Sequence, residues 1–120
     1  IANYKGKVVL LDFWATWCGP CIAELPNVMA AYEKHHDKGF EIIGISLDSN
    51  QRKLEQFIEK EKMTWVQYYD GLGWKNKLAQ TYGINSIPAT FLLDGEGKVI
   101  GRDLLGPALE AAVAKALAAK

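Results

Sequence analysis

Cys18 and Cys21 stand three positions apart, with Gly19 and Pro20 between them. An apolar run, Val8 to Trp14 (VVLLDFW), comes before them, and Ala15-Thr16-Trp17 leads in. The run reads as a strand buried on both faces, as in a parallel sheet. Gly19 and Pro20 then open a helix, since proline is accepted in a first helical turn. Cys18 therefore falls at a helix N-terminus, where unpaired N–H groups and the helix dipole favour an anion. The relevant anion is a thiolate, the nucleophile of disulfide exchange. Cys21 lies one turn on and on the same side. It can attack a mixed disulfide formed at Cys18 and release a reduced substrate. An inert buried pair is the alternative. The placement after a buried strand, at a helix start within a βαβ unit, favours the redox reading.

Asp12 interrupts the apolar strand six residues before Cys18. A charge there costs several kcal/mol unless it has a partner or a task. Leu11 and Phe13 make its flanks apolar, so burial is expected to raise its pKa. A general base for the Cys21 thiol, acting through water, is preferred over a side chain that merely reaches solvent. Glu24 follows Cys21 at i, i+3 spacing, which places its carboxylate near the sulfurs. Spacing alone leaves it either a second proton acceptor or a solvated helix residue.

Ile87-Pro88 precedes a strand. The proline either begins that strand or forms a cis peptide that frees the Ile87 backbone to face a substrate. Trp14 and Trp17 flank the cysteines, and Trp17 is the nearer. The tryptophans either shape a substrate surface or merely pack; on the first reading, with a cis proline, the candidate substrate-facing set is Trp17, Gly19, Pro20, Ile87 and Pro88. Trp65 and Trp74 read as core or surface, without a site role. His35 and His36 are adjacent, so on a helix they point in different directions, and both are expected on a solvated face. With two cysteines and these two histidines, no metal site is expected.

The elements that must position these residues follow from periodicity. Ile22, Leu25, Val28, Met29 and Tyr32 give a helix to about Lys38, kinked by Pro26 and ended by Gly39. Phe40 to Leu47 is a second strand, and Asp48, Ser49 and Asn50 offer a cap. Leu54, Phe57 and Ile58 form the inner stripe of a helix to about Lys62. Trp65 to Tyr69 is a short strand. Trp74, Leu78 and Tyr82 sit four apart on a third helix, stopped by Gly83. Ala89 to Leu93 is a strand, Asp94-Gly95-Glu96-Gly97 a hairpin turn, and Lys98 to Arg102 the returning strand. Leu109, Val113 and Leu117 mark the inner face of a last helix. The order β-α-β-α-β-α-β-β-α implies a mostly parallel sheet, made mixed by the terminal hairpin.

Length and composition agree with this scheme. The 120 residues suit one domain with a core of its own. Lys plus Arg equals Asp plus Glu, 14 each, so no charge excess points to nucleic acid or a membrane surface. No run is long and apolar enough to span a bilayer, and no signal peptide is visible. The abrupt start at Ile1 suggests a domain, residues 1–120, excised from a longer or membrane-tethered protein, and Ala118-Ala119-Lys120 reads as a helix end. Nothing in the sequence calls for more than a monomer.

Asp12-Phe13-Trp14-Ala15-Thr16-Trp17-Cys18-Gly19-Pro20-Cys21 resembles the active-site stretch of the thioredoxin superfamily. Ser86-Ile87-Pro88-Ala89-Thr90-Phe91 is similar to its cis-proline segment, and Pro26 to its helix proline. The resemblance runs from about Gly6 to Leu117. Within the superfamily it is nearest the TlpA/ResA type. Cys21-Ile22-Ala23-Glu24-Leu25-Pro26 fits that branch's Glu and Pro after the second cysteine, and about Asp48 to Asp70 resembles its helix–strand insertion. The resemblance implies an α/β thioredoxin fold with about five strands, a cis Ile87–Pro88 bond and an active-site role for Glu24. It implies a bacterial protein-disulfide reductase acting in the periplasm or tethered outside the cytoplasm, for example in cytochrome c maturation. Such a protein would be recharged by a membrane electron-donor protein and would need no cofactor beyond the Cys18–Cys21 pair. The Gly19-Pro20 dipeptide is that of thioredoxin itself and favours a general reductant. Two other readings compete. One is a peroxiredoxin-type peroxidase, whose P-x-x-x-T/S-x-x-C pattern meets Leu11 and Ala15 here. The other is a non-enzymatic binding module, which loss of a cysteine would mark.

Overall fold

A computed structural model describes residues 4–119, so the readings at Ile1 and Lys120 lie outside the described residues. Strand β1 (Val8–Trp14) is buried along its whole length. Its position explains this: in the sheet order β3-β2-β1-β4-β5 it is the middle strand. It pairs in parallel with β2 (Phe40–Ser46) and antiparallel with β4 (Ala89–Leu93). Both ladders of backbone hydrogen bonds are thereby satisfied, as an apolar strand without access to water requires. Strand β3 (Val66–Tyr69) runs parallel to β2, and β5 (Val99–Arg102) antiparallel to β4. Edge residues Val66, Val99 and Ile100 are exposed.

The sheet is mixed as expected, but it is not mostly parallel: two of the four pairings are antiparallel. Register gives the reason. Tyr69 ends β3 opposite Ser46, which lies opposite Trp14, and Ala89 starts β4 opposite Phe13. The intervening segment begins and finishes at the same end of the sheet, so β4 must run back against β1.

Side chains alternate across a strand. Phe13 faces one side, where Tyr82 and Phe91 pack around it. Asp12 and Trp14 face the other, with helices α1 (Gly19–His35), α2 (Gln51–Lys60) and α4 (Pro107–Ala118). The inner stripe of α1 is Cys21, Leu25, Val28, Ala31 and His35. The stripe expected from Ile22, Met29 and Tyr32 is rotated by about one position: Ile22 is exposed, and the other two are half-buried. Pro26 lies on the outer side of this helix. Asn50 caps α2 by accepting the Lys53 N–H at 3.1 Å.

His35 departs from the solvated face expected of it. It is buried, and its Nε2 lies 2.9 Å from Glu110 on α4. Lys34 reaches the same carboxylate at 2.8 Å. Together they hold the Glu110 carboxyl below its usual range and tie the end of α1 to α4. His36 is exposed, as expected.

The third helix is also shorter than its spacing suggests. Trp74 lies in a separate 3-10 turn (Gly73–Lys75), and α3 covers only Lys77–Thr81. Asn76 makes the break. It is fully buried, accepts the Ala79 N–H at 3.0 Å as a cap and donates to the Ser46 carbonyl at 3.2 Å. Asn76→Ala removes both bonds from a buried site. Urea denaturation is expected to show a loss of about 2–3 kcal/mol; a loss within error would contradict this role.

The hairpin between β4 and β5 forms as read. Asp94 accepts the N–H groups of Glu96 at 2.9 Å and Lys98 at 3.0 Å, which holds its carboxyl below the usual range. Gly97 supplies the left-handed residue, with φ +82°. No described helix is long and apolar enough to cross a membrane.

Candidate functional site

β1 ends at Trp14, and the chain must turn sharply to start α1 at Gly19. Asp48, one of the three cap candidates before α2, holds that turn instead. It is buried and accepts the Thr16 N–H at 3.2 Å, the Thr16 hydroxyl at 2.5 Å and the Ser46 hydroxyl at 2.7 Å. Leu47 extends the β1–β2 pairing by donating to the Trp14 carbonyl at 2.8 Å. The approach to Cys18 is therefore pinned from the neighbouring strand.

Cys18 is the N-cap of α1, in an extended conformation. The Cys21 N–H points at the Cys18 sulfur, 3.2 Å away. This is the amide-to-sulfur geometry that a helix start offers an anion. The two cysteines are joined in a disulfide, with Cα atoms 5.3 Å apart. Only 5% of Cys18 and 7% of Cys21 is exposed, whereas Gly19 and Pro20 between them face solvent.

Behind the disulfide lies a small cavity of about 20 Å³, lined by Asp12, Cys21, Glu24 and Pro88 among others. That is room for about one water molecule. Asp12 is buried at 8% exposure and does not reach out to solvent. Burial pushes its carboxyl up to about 7, and the nearby Glu24 charge adds to the effect. A carboxyl so placed can exchange protons near neutral pH, in the cavity that Cys21 also lines.

Glu24 shares this cavity, so the helical spacing places it near Cys21 as expected. It is not a free carboxylate. One oxygen accepts the Gly106 N–H at 2.7 Å, at the start of α4, and the other accepts from Asn27 at 2.9 Å. The Ile87–Pro88 bond is cis, and Pro88 meets Cys21 across the cavity.

The tryptophans divide differently from the sequence reading. Trp14 is buried, donates to Gln67 at 3.0 Å and packs on Phe57. Trp65 is buried. Trp17 is exposed beside Cys18, and Trp74, read without a site role, packs on it with ring centroids 5.9 Å apart. Leu11 and Ala15, where a peroxidatic site carries Pro and Thr, are both buried and bring no hydroxyl. Among the described residues, no group of three or more His, Cys, Asp or Glu is arranged to hold a metal ion.

The chain matches a family model described as Redoxin over residues 1–118. It is 36% identical over 100 residues to the thiol-disulfide oxidoreductase ResA of Bacillus thuringiensis subsp. konkukian. That match covers 83% of this chain and 56% of the relative, so the chain spans little more than half of the relative's length. Among solved structures, the thioredoxin domain of a thiol-disulfide oxidoreductase from Bacteroides vulgatus superimposes with a TM-score of 0.87 at 34% identity, over 96% of this chain and 82% of that one. A thiol:disulfide interchange protein from Bacteroides sp. gives 0.86 at 34% identity, over 98% and 78% respectively.

Proposed function

The chain belongs to the redoxin family and has the thioredoxin fold in a ResA-like form, and on that premise we propose that it reduces protein disulfides by dithiol exchange through Cys18 and Cys21. The observation that carries this reading is the Cys21 N–H aimed at the Cys18 sulfur. In the reduced protein that amide favours the Cys18 thiolate. The thiolate attacks one sulfur of a substrate disulfide, and the other sulfur leaves as a thiolate. A mixed disulfide now joins Cys18 to the substrate. The Asp12 carboxylate takes the Cys21 proton through the small cavity. The Cys21 thiolate then attacks the Cys18 sulfur, closes the internal disulfide and releases the substrate's second thiol. Two electrons pass from the protein to the substrate, and the disulfide form is left for a donor to reduce again.

Glu24 adds negative charge beside Asp12 and keeps the start of α4 against the active helix. Trp17, Gly19, Pro20, Ile87 and Pro88 form the surface that meets the substrate. The donor is a membrane electron-transfer protein, and the site of action is outside the bacterial cytoplasm. Both assignments are supported by likeness to the ResA type. The redox pair needs no further cofactor.

Equilibration with glutathione buffers tests the direction of transfer. A reductant is expected near thioredoxin's potential of about −270 mV, and a value near about −120 mV would make the protein an oxidant instead.

A further inference from the structure

We infer that Trp74 is a specificity residue of this site: with Trp17 it forms an aromatic shelf beside Cys18 that receives large apolar side chains flanking the cysteine of a polypeptide substrate. The inference rests on the reductase reading above. Its starting point is exposure. Trp17 is 54% and Trp74 47% exposed, although each carries a large apolar surface that folding would normally bury. They share part of that surface with each other, at 5.9 Å between centroids, and leave the rest to solvent. Trp17 is bonded directly to Cys18 in the chain, so the shelf begins where the mixed disulfide would form.

The shelf is also rigid at its base. Thr16, which precedes Trp17, is held by Asp48, and Asp48 also takes the Ser46 hydroxyl. Asn76, two residues after Trp74, binds the Ser46 carbonyl. One buried polar cluster thus fixes both stretches of chain that carry the indoles. Preorganised aromatic side chains lose little freedom on binding, which is the usual property of an anchor surface.

The occupant follows from the burial of the sulfurs. With 5% and 7% of the two cysteines exposed, a substrate sulfur arrives only if its own chain lies along the surrounding surface. Leu72, 48% exposed in the same segment as Trp74, extends that segment's apolar character. Such a surface favours neighbouring residues such as Phe or Leu. It offers little to a small charged disulfide such as oxidised glutathione.

The test compares wild type, Trp74→Ala and Trp74→Phe on three substrates. These are a disulfide peptide with Phe and Leu beside its cysteines, the same peptide with Ser in those places, and oxidised glutathione. Trp74→Ala is expected to lower kcat/KM for the apolar peptide roughly tenfold, chiefly through KM. The other two substrates are expected to change less than twofold, and Trp74→Phe to restore most of the loss. An equal loss on all three substrates would show a structural role and overturn the inference, as would no loss on any. A wild type that reduces none of the three would overturn the reductase reading itself. A wild type that reduces all three equally would overturn the shelf alone.

Discussion

Cys18→Ser is expected to abolish reduction of insulin disulfides, leaving only the rate of the buffer thiol, while Cys21→Ser is expected to accumulate a covalent adduct with the substrate. The two variants separate because the proposed mechanism gives the sulfurs different work. Cys18 caps α1 and receives the Cys21 N–H, so its thiolate is the one the helix favours. Cys21 lies inside the first turn and lines the same small cavity as Asp12. Without Cys18 there is no attacking sulfur. Without Cys21 the first exchange still occurs, and nothing resolves it. Turbidity on insulin reduction and a mass shift on a non-reducing gel read the two outcomes. Equal activity of Cys18→Ser and wild type would refute the enzyme, and an adduct on Cys18→Ser in place of Cys21→Ser would reverse the roles. The rate of iodoacetamide alkylation of Cys18 in the reduced protein should show a midpoint below about pH 8.5.

Asp12→Asn is expected to change both stability and rate, with opposite signs. In the fold the Asp12 carboxyl titrates near 7, against an ordinary value of 3.8. The folded protein therefore holds this proton more tightly than the unfolded chain. The resulting stabilisation is complete below about pH 4 and is lost as pH rises through about 7. The span corresponds to about 4 kcal/mol at most. Wild type should thus lose stability to urea between pH 4 and pH 8, and Asp12→Asn should lose much less over the same interval. In the proposed mechanism the cost to function lies in the second step. With an amide in place of the carboxylate, Cys21 has no internal acceptor for its proton, and release of the substrate slows. The release rate of wild type should rise as pH passes about 7, and that rise should vanish in Asp12→Asn. A variant with unchanged pH profiles of both stability and release would remove Asp12 from the mechanism.

Much of this was legible in the sequence because the relevant signals are local. Val8–Trp14 is apolar enough to specify a central strand, and Leu11 and Phe13 beside Asp12 foretell a buried carboxyl. Cys18 and Cys21 need only the helix start that Gly19 and Pro20 supply. What escaped the reading depends on partners far along the chain. His35 is drawn inward by Glu110, 75 positions later. Asp48 competes as a cap in sequence, but in space it serves Thr16, 32 positions earlier. Glu24 falls where its spacing says, and its tie to Gly106, 82 positions on, has no local signature. Trp74 reads as core or surface because nothing local marks its packing on Trp17, 57 positions earlier, and its four-residue spacing to Leu78 mimics one helix. Asn76 was the available correction, since asparagine before a short helical run is a starting signal.

The strand register also gives the molecule two poles. The disulfide sits past Trp14 at one end of β1, whereas the Asp94–Gly97 turn follows Leu93, which pairs with Val9 near the other end. The poles are separated by most of a seven-residue strand, roughly 20 Å. A resin, dye or electrode coupled through a cysteine-free linkage at Glu96 would therefore hold the protein by the end far from the disulfide, with the surface around Cys18 turned toward whatever flows past.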